Sequence, residues 1–199
     1  MKINHQNVYF TADPHFGHNS IRKYFNRPFD SVEEMNESIR DNFKAPAGAE
    51  LFVIGDVFFQ LTTLELIHIL HQLAEWKHVH FIRGNHDKKR HFSLIHQAWP
   101  SGKRNYTIHE DSIVEVFIAD DEMEQDARLI LCHYPLLSWN ASYHGSWHLF
   151  GHTHATLKHP SFNAIDVGVD NWNYAPISYQ TVKETITMQN LHKKHYYGK

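Results

Sequence analysis

Cysteine is nearly absent: Cys132 is the single one in 199 residues, so no disulfide can form within the chain. That suits a reducing compartment. Neither sign of charge dominates. The formal net charge of −3 carries no demand for nucleic acid or an anionic membrane. No apolar run approaches the roughly 20 residues that cross a bilayer, and Met1 to Thr11 lacks the apolar core of a secretory leader. Repeats, low-complexity tracts and interdomain linkers are also missing. These absences lead us to expect a cytoplasmic, soluble protein with no obligatory nucleic-acid partner. A hydrophobic fraction of 42% and an aromatic fraction of 14% are globular values. We expect one domain over residues 1–190, followed by a basic, frayed tail over 191–199.

What the chain has in excess is histidine, at 19 residues. Most of these read as solvated polar positions: His68 and His71 in a helical stretch, His192 and His195 in the basic tail. Histidines at strand ends call for a chemical reading. Val8–Thr11, Leu51–Ile54 and Val79–Ile82 are β-rich apolar runs. Between them, Ser31-x-x-Glu34 and Thr62-x-x-Glu65 are capping boxes. The first opens a helix with Val32, Met35, Ile39 and Phe43 on its apolar face. The second opens one with Leu64, Ile67, Leu70, Leu73 and Ala74 inward. This β-α-β-α-β order favours adjacent parallel strands with helices outside. The second half reads as strands at 106–109, 113–118 and 128–132 with short connections, then at 148–150 and 164–169. Asp120, Asp121, Glu122, Glu124 and Asp126 read as a solvated hairpin tip that blocks edge pairing.

Five short motifs directly follow the apolar runs: Asp13-Pro14-His15, Gly55-Asp56, Gly84-Asn85-His86-Asp87, Cys132-His133 and Gly151-His152-Thr153-His154. Loops at strand ends are where α/β proteins build their sites. Asp13 and His15, two apart, can face one cation, and His152 and His154 repeat that spacing. A carboxylate placed like Asp56, after a buried strand, is costly unless it is paired or metal-bound, and its two oxygens can bridge two ions about 3.5–4 Å apart. Asn85 offers a carbonyl oxygen and His133 an imidazole. A mixed N/O set without sulfur suits Mn²⁺, Fe²⁺, Zn²⁺, Co²⁺ or Ni²⁺ over Ca²⁺ or Mg²⁺. Cys132 adjoins His133 but points to the opposite face of its strand, so it belongs to the core. Two dications against two carboxylates leave a positive site that favours a phosphate ester, with a bridging hydroxide as nucleophile.

Together these blocks, in this order, resemble the calcineurin-like metallophosphoesterases over nearly the whole chain. "FTADPHFGH", "RGNHD", "CHYP" and "VGVDNWNYAPIS" resemble more narrowly a group of small bacterial and phage phosphoesterases. The resemblance implies an α/β fold of four layers, two packed mixed β-sheets flanked by helices. It implies two divalent transition-metal ions, Mn²⁺ foremost. Asp13, His15 and His154 would hold the first, Asn85, His133 and His152 the second, and Asp56 would bridge them. His86 would touch the phosphate and protonate the leaving oxygen, and Asp87 would orient His86. The substrate would be a small phosphate ester, a diester ahead of a monoester, with nucleotides among the candidates. The alternative is an interaction module that keeps the fold without catalysis; the complete ligand set and His86 argue against it. The second block departs from the phosphoprotein phosphatases by lacking Asp-Arg, and Phe58 and Phe59 suggest an apolar wall near the metals instead.

Weaker candidates lie between the motifs. His18 is a candidate for phosphate contact, or else the start of the next helix, capped through Asn19 or Ser20. Arg22 and Lys23 read as solvated helix charges and Arg83 as a core-rim cation. Trp139, Trp147, Trp172 and Tyr174 read as packing residues ahead of a stacking platform. Asp166 and Asp170 read as turn residues or supports behind the ligands.

Overall fold

A computed structural model describes residues 1–197, with side chains through Leu191. One sheet contains β2 (Val8–Thr11), β3 (Glu50–Ile54), β4 (His78–Ile82) and β5 (Tyr106–Ile108) in parallel, with β10 (Ile177–Ser178) antiparallel on the β2 edge. The other has the order β1-β6-β7-β8-β9, where β1 is Lys2–Ile3, β6 Ile113–Ile118, β7 Ala127–Cys132, β8 Trp147–Phe150 and β9 Ala164–Asp166. Its pairings are parallel apart from the β6–β7 hairpin.

The two sheets pack face to face. Phe10, Phe52, Ile54 and Ile82 of the first meet Val116, Ile118, Leu129, Leu131 and Leu149 of the second in one buried cluster. The alternate residues Leu51, Val53, Val79 and Phe81 pack on the other side against α2 (Val32–Asn42), α3 (Thr63–Leu73) and α4 (Lys89–Ala98). Burial on both faces explains why β3 and β4 read as continuous apolar runs rather than alternating ones. The architecture is thus the expected pair of packed mixed sheets with helices, here five-stranded each. The short α1 (Asn19–Tyr24) and the long α5 (Tyr179–Tyr197) complete the helices. None of the described helices is long and apolar enough to cross a membrane.

The second capping box forms in full, Thr62 and Glu65 capping each other, while only half of the first does: Ser31 accepts the Glu34 N–H, but the Glu34 carboxylate accepts the Asp30 N–H at 2.7 Å. The inward face of α3 is nevertheless shifted. It consists of Leu66, Ile69, Leu70 and Leu73, while Leu64 is 63% exposed. Starting at Leu66, not Leu64, completes the i, i+3, i+4, i+7 stripe. The three middle strands are not one run either. β5 joins the first sheet beside β4, and only β6 and β7 form a hairpin. β9 stops at Asp166, whose side chain accepts the Gly168 N–H and turns the chain into a 3-10 turn at Val169–Asn171.

Asp120 does not belong to the solvated tip. It is 4% exposed, accepts from the Tyr179 hydroxyl at 2.6 Å and pairs with Lys183, docking α5. The backbone of α5 also continues through Tyr197, so the segment expected to fray is helical that far. The side chains of His192 and His195 lie outside those described, as do residues 198–199 altogether.

Candidate metal centre

The motif loops leave the ends of β2, β3, β4, β7 and β8 and converge at one edge of the sandwich. Asp13, His15 and His154 bring one ligand atom each to within 4.8 Å of one another, and Asp56, His133 and His152 do the same beside them. Each triad mixes residues from both sheets, so the site exists only when the sheets pack. The loops bend sharply to reach it. Asp13, His15, Asp56, His152 and His154 all have positive φ, between 46° and 71°. Non-glycine residues pay roughly 1 kcal/mol or more for such backbone, and it persists where the surroundings over-determine it.

Asp56, of the second triad, also reaches the first. Its Oδ2 lies 3.5 Å from His15 Nε2 and 3.4 Å from His133 Nε2. Its Oδ1 accepts the His86 N–H at 2.8 Å. Asp13 Oδ2 accepts the His152 N–H at 2.8 Å. Backbone comes this close to both carboxylates through glycine. A Cβ on Gly84 would meet Asp56 Oδ1 at 2.2 Å, and one on Gly151 would meet Asp13 Oδ2 at 2.3 Å. Asn85 Oδ1 lies 3.0 Å from His133 Nε2 and so borders the second triad.

Two buried atoms of the first triad, Asp13 Oδ1 and His15 Nε2, have no hydrogen-bond partner among the described residues. Orphaned donor atoms of this kind are what a cation would satisfy. Burial raises the Asp13 carboxyl to about 7, against the pull of His133 and His154. Burial drives His15 well below its usual range. Burial also works to raise Asp56 and to lower His133, but their mutual pairing outweighs it. Asp56 is held low and His133 is pushed up. Two carboxylates, one amide oxygen and four imidazoles, without sulfur, fit divalent transition metals.

The profile of the calcineurin-like phosphoesterases matches residues 7–156. The chain belongs to that family. It is 28% identical over 187 residues to the uncharacterized protein MJ1445 of Methanocaldococcus jannaschii, with 90% of each chain covered. Its fold resembles the crystal structure of AQ665, a protein of unknown function from Aquifex aeolicus. That match has a TM-score of 0.66 at 17% identity and covers 89% of this chain and 97% of that one.

In this calcineurin-like site, partners behind two of the candidate ligands fix their imidazoles. His133 Nδ1 donates to the Ile54 carbonyl at 3.0 Å, turning Nε2 toward Asp56. His154 Nδ1 lies 2.8 Å from Asp170 Oδ2, which frees its other nitrogen. Such carboxylate–histidine pairs set tautomer and ring orientation. Asp170 is itself gripped in a bidentate pair by Arg27, both contacts at 2.8 Å, and Arg27 also donates to the Asp13 and Pro14 carbonyls. Sequence reasoning missed Arg27. It lies outside every motif, and its partner Asp170 is 143 positions away. Asp166 accepts from the Thr153 hydroxyl at 2.6 Å and steadies the last motif.

His18 does begin the next helix, but neither Asn19 nor Ser20 caps it. It occupies the N-cap position without a side-chain cap bond. Its ring stacks on Phe59 at 3.8 Å, and its Nδ1 lies 3.2 Å from His15 Nδ1. His86 is near both, 5.9 Å from His18 and 5.8 Å from Phe59 between ring centroids. The expected apolar wall therefore reduces to Phe59, because Phe58 is 3% exposed and packs in the core.

Asp87 requires a correction. Its carboxylate accepts the N–H groups of Asp56 at 2.7 Å, Val57 at 3.0 Å and Gly84 at 3.0 Å, and none of its bonds goes to the His86 ring. Both oxygens are committed to backbone, so Asp87 braces the Asp56 loop instead of orienting His86. The aromatic candidates are structural. Trp139 donates to Ser146, Trp172 to the Asp166 carbonyl, Trp147 lies in the intersheet core, and Tyr174 packs under Arg27. Arg83 lies over the Phe92 ring. Cys132 is buried, and burial raises its thiol pKa, as a core residue requires.

Proposed function

We propose that this protein is a binuclear metal-dependent phosphoesterase acting on small phosphate esters, diesters ahead of monoesters. The observation that carries this reading is the Asp56 carboxylate, which belongs to one His/Asp triad and also comes within 3.5 Å of His15 in the other. Asp13, His15 and His154 would hold one divalent ion, and Asn85, His133 and His152 the other, with Asp56 between them and Mn²⁺ the first metal to try. When bound, the ions supply positive charge against the phosphate oxygens and lower the pKa of an attacking water.

The chain's own residues do the rest. The clamp of Arg27, Asp170 and the Ile54 carbonyl keeps His154 and His133 in fixed tautomers. His86, held by its own N–H to Asp56, places its ring beside the triads and gives a proton to the departing alkoxide. The His18–Phe59 stack walls the site on that side. Burial lowers the His18 pKa, which keeps it neutral. A wall without fixed positive charge supports a singly charged diester over a dianionic monoester.

A hydrolysis panel with added Mn²⁺ tests the reading: aryl mono- and diesters, cyclic nucleotides, dinucleotides and nucleic-acid ends. Asp56→Asn is expected to abolish metal-dependent cleavage of an aryl phosphodiester in a folded protein. Activity retained by that variant sinks the shared-carboxylate role.

A further inference from the structure

We propose that the groove beside His18 and Phe59 is a nucleobase site, so that the substrate is a nucleoside phosphodiester whose phosphate lies at the two triads. The proposal rests on the phosphoesterase reading above and names its substrate class. The groove is a cavity of about 690 Å³, within the range of small-molecule sites. Gly17 and Asn19, on either side of His18, line it together with Phe59. His18 in turn touches His15 of the first triad. One side chain separates the groove from the ligand atoms.

Its chemistry selects an occupant. Val32, Leu61 and Leu94 give it apolar surface, and Leu94 is left 39% exposed. Asn36 is 7% exposed in its wall. Asn36 Oδ1 accepts the Gly17 N–H at 2.9 Å, which settles the orientation of the amide. Its Nδ2 then has no partner among the described residues. A buried donor left without an acceptor is costly, and a ligand carbonyl or ring nitrogen would satisfy it. Glu33 and Glu65 line the groove along with Arg90, so no surplus of positive charge awaits a second phosphate. A flat, neutral heterocycle with an acceptor edge meets all three conditions, and a nucleobase is such a group.

Two esters with the same leaving group test this: the p-nitrophenyl ester of thymidine monophosphate and ethyl p-nitrophenyl phosphate, each with Mn²⁺ and the full chain. The thymidylyl ester is expected to have about tenfold higher kcat/KM, expressed in KM. Asn36→Asp keeps the acceptor for Gly17 and removes the donor, while Leu94→Trp fills the rim. Each is expected to remove about tenfold of the thymidylyl kcat/KM through KM, with kcat and the ethyl ester unchanged. Equal losses on both esters, or no preference for the thymidylyl ester, overturn the proposal. Should neither ester be cut, thymidine binding decides. Binding to the wild type that Leu94→Trp abolishes supports the groove and sinks the phosphoesterase reading; no binding overturns both.

Discussion

The Asp87 carboxylate accepts the backbone N–H of Asp56 at 2.7 Å, across 31 positions of sequence. With Val57 and Gly84 as its other donors, it ties the β3 loop to the β4 loop. Burial raises its pKa, and the Gly84, Val57 and Asp56 amides oppose that rise. Asp87→Ala would strand buried N–H groups and is expected to cost about 2–4 kcal/mol of stability. Asp87→Asn is expected to fold yet lose metal affinity by roughly 10–100-fold, because the Asp56 loop relaxes. Metal content after dialysis checks this. Full metal content with lost turnover would return Asp87 to an orienting role on His86.

His86 is expected to matter in proportion to the leaving group. His86→Ala should bind metal normally and lose roughly 10²–10⁴-fold in turnover of alkyl diesters. Loss on a p-nitrophenyl diester should be much smaller, since that phenolate leaves without a proton. A metal content that falls as far as activity would make His86 a ligand.

Arg27 links the metal centre to the core. Burial works to raise the Asp170 carboxyl, but His154 and Arg27 hold it below the usual range. Arg27→Ala leaves that buried charge half-paired and is expected to destabilise the fold by about 3–5 kcal/mol. Arg27→Lys keeps the charge but loses the fork. We expect it to fold and to bind the metal at the Asp13 triad more weakly. Metal titration followed by thermal unfolding separates the two effects.

Part of the acid sensitivity should come from histidines away from the site. His148 has its Nδ1 on the Ile130 carbonyl and its Nε2 on the Leu136 N–H, while His80 stacks on Phe52 at 4.2 Å beside Glu50 and His109. Burial lowers both to about 4. The unfolded chain takes these protons near the ordinary histidine value of about 6.5, so the unfolded state binds more protons between the two values. Stability is therefore complete above about 6.5, falls as pH drops toward 4, and levels off below, by up to roughly 3 kcal/mol per histidine. Denaturant unfolding at neutral and acid pH should show a shallower loss for His148→Asn than for the wild type. An unchanged acid slope in that variant would remove His148 from the account.

Much of the site was legible in sequence because its parts are local. A strand end, a glycine and a short ligand pair are contiguous, and each buried apolar run announces where its loop begins. Asp13 and His15, His152 and His154, and the Gly84–Asp87 block could be recognised without knowing what they face. The helix caps at Ser31 and Thr62 were likewise readable, since a cap involves residues three apart.

Other features depend on which segments meet. Leu64 and Leu66 are equally apolar, and only packing decided which one α3 turns inward. β5 reads like β6 and β7, yet hydrogen bonding to β4 placed it in the other sheet. Asp120 sits among acids in sequence, but contact with Tyr179 and Lys183 buries it. Most of all, residue type could not distinguish Asp87 bracing a loop from Asp87 orienting His86, nor show that Arg27 reaches Asp170. The candidate ligands and their strand-end placement could be read from the chain alone, because both follow from short-range pattern. Folding settled how close those residues come, the supports behind them and the groove at Asn36, because these depend on distances between residues far apart in the chain.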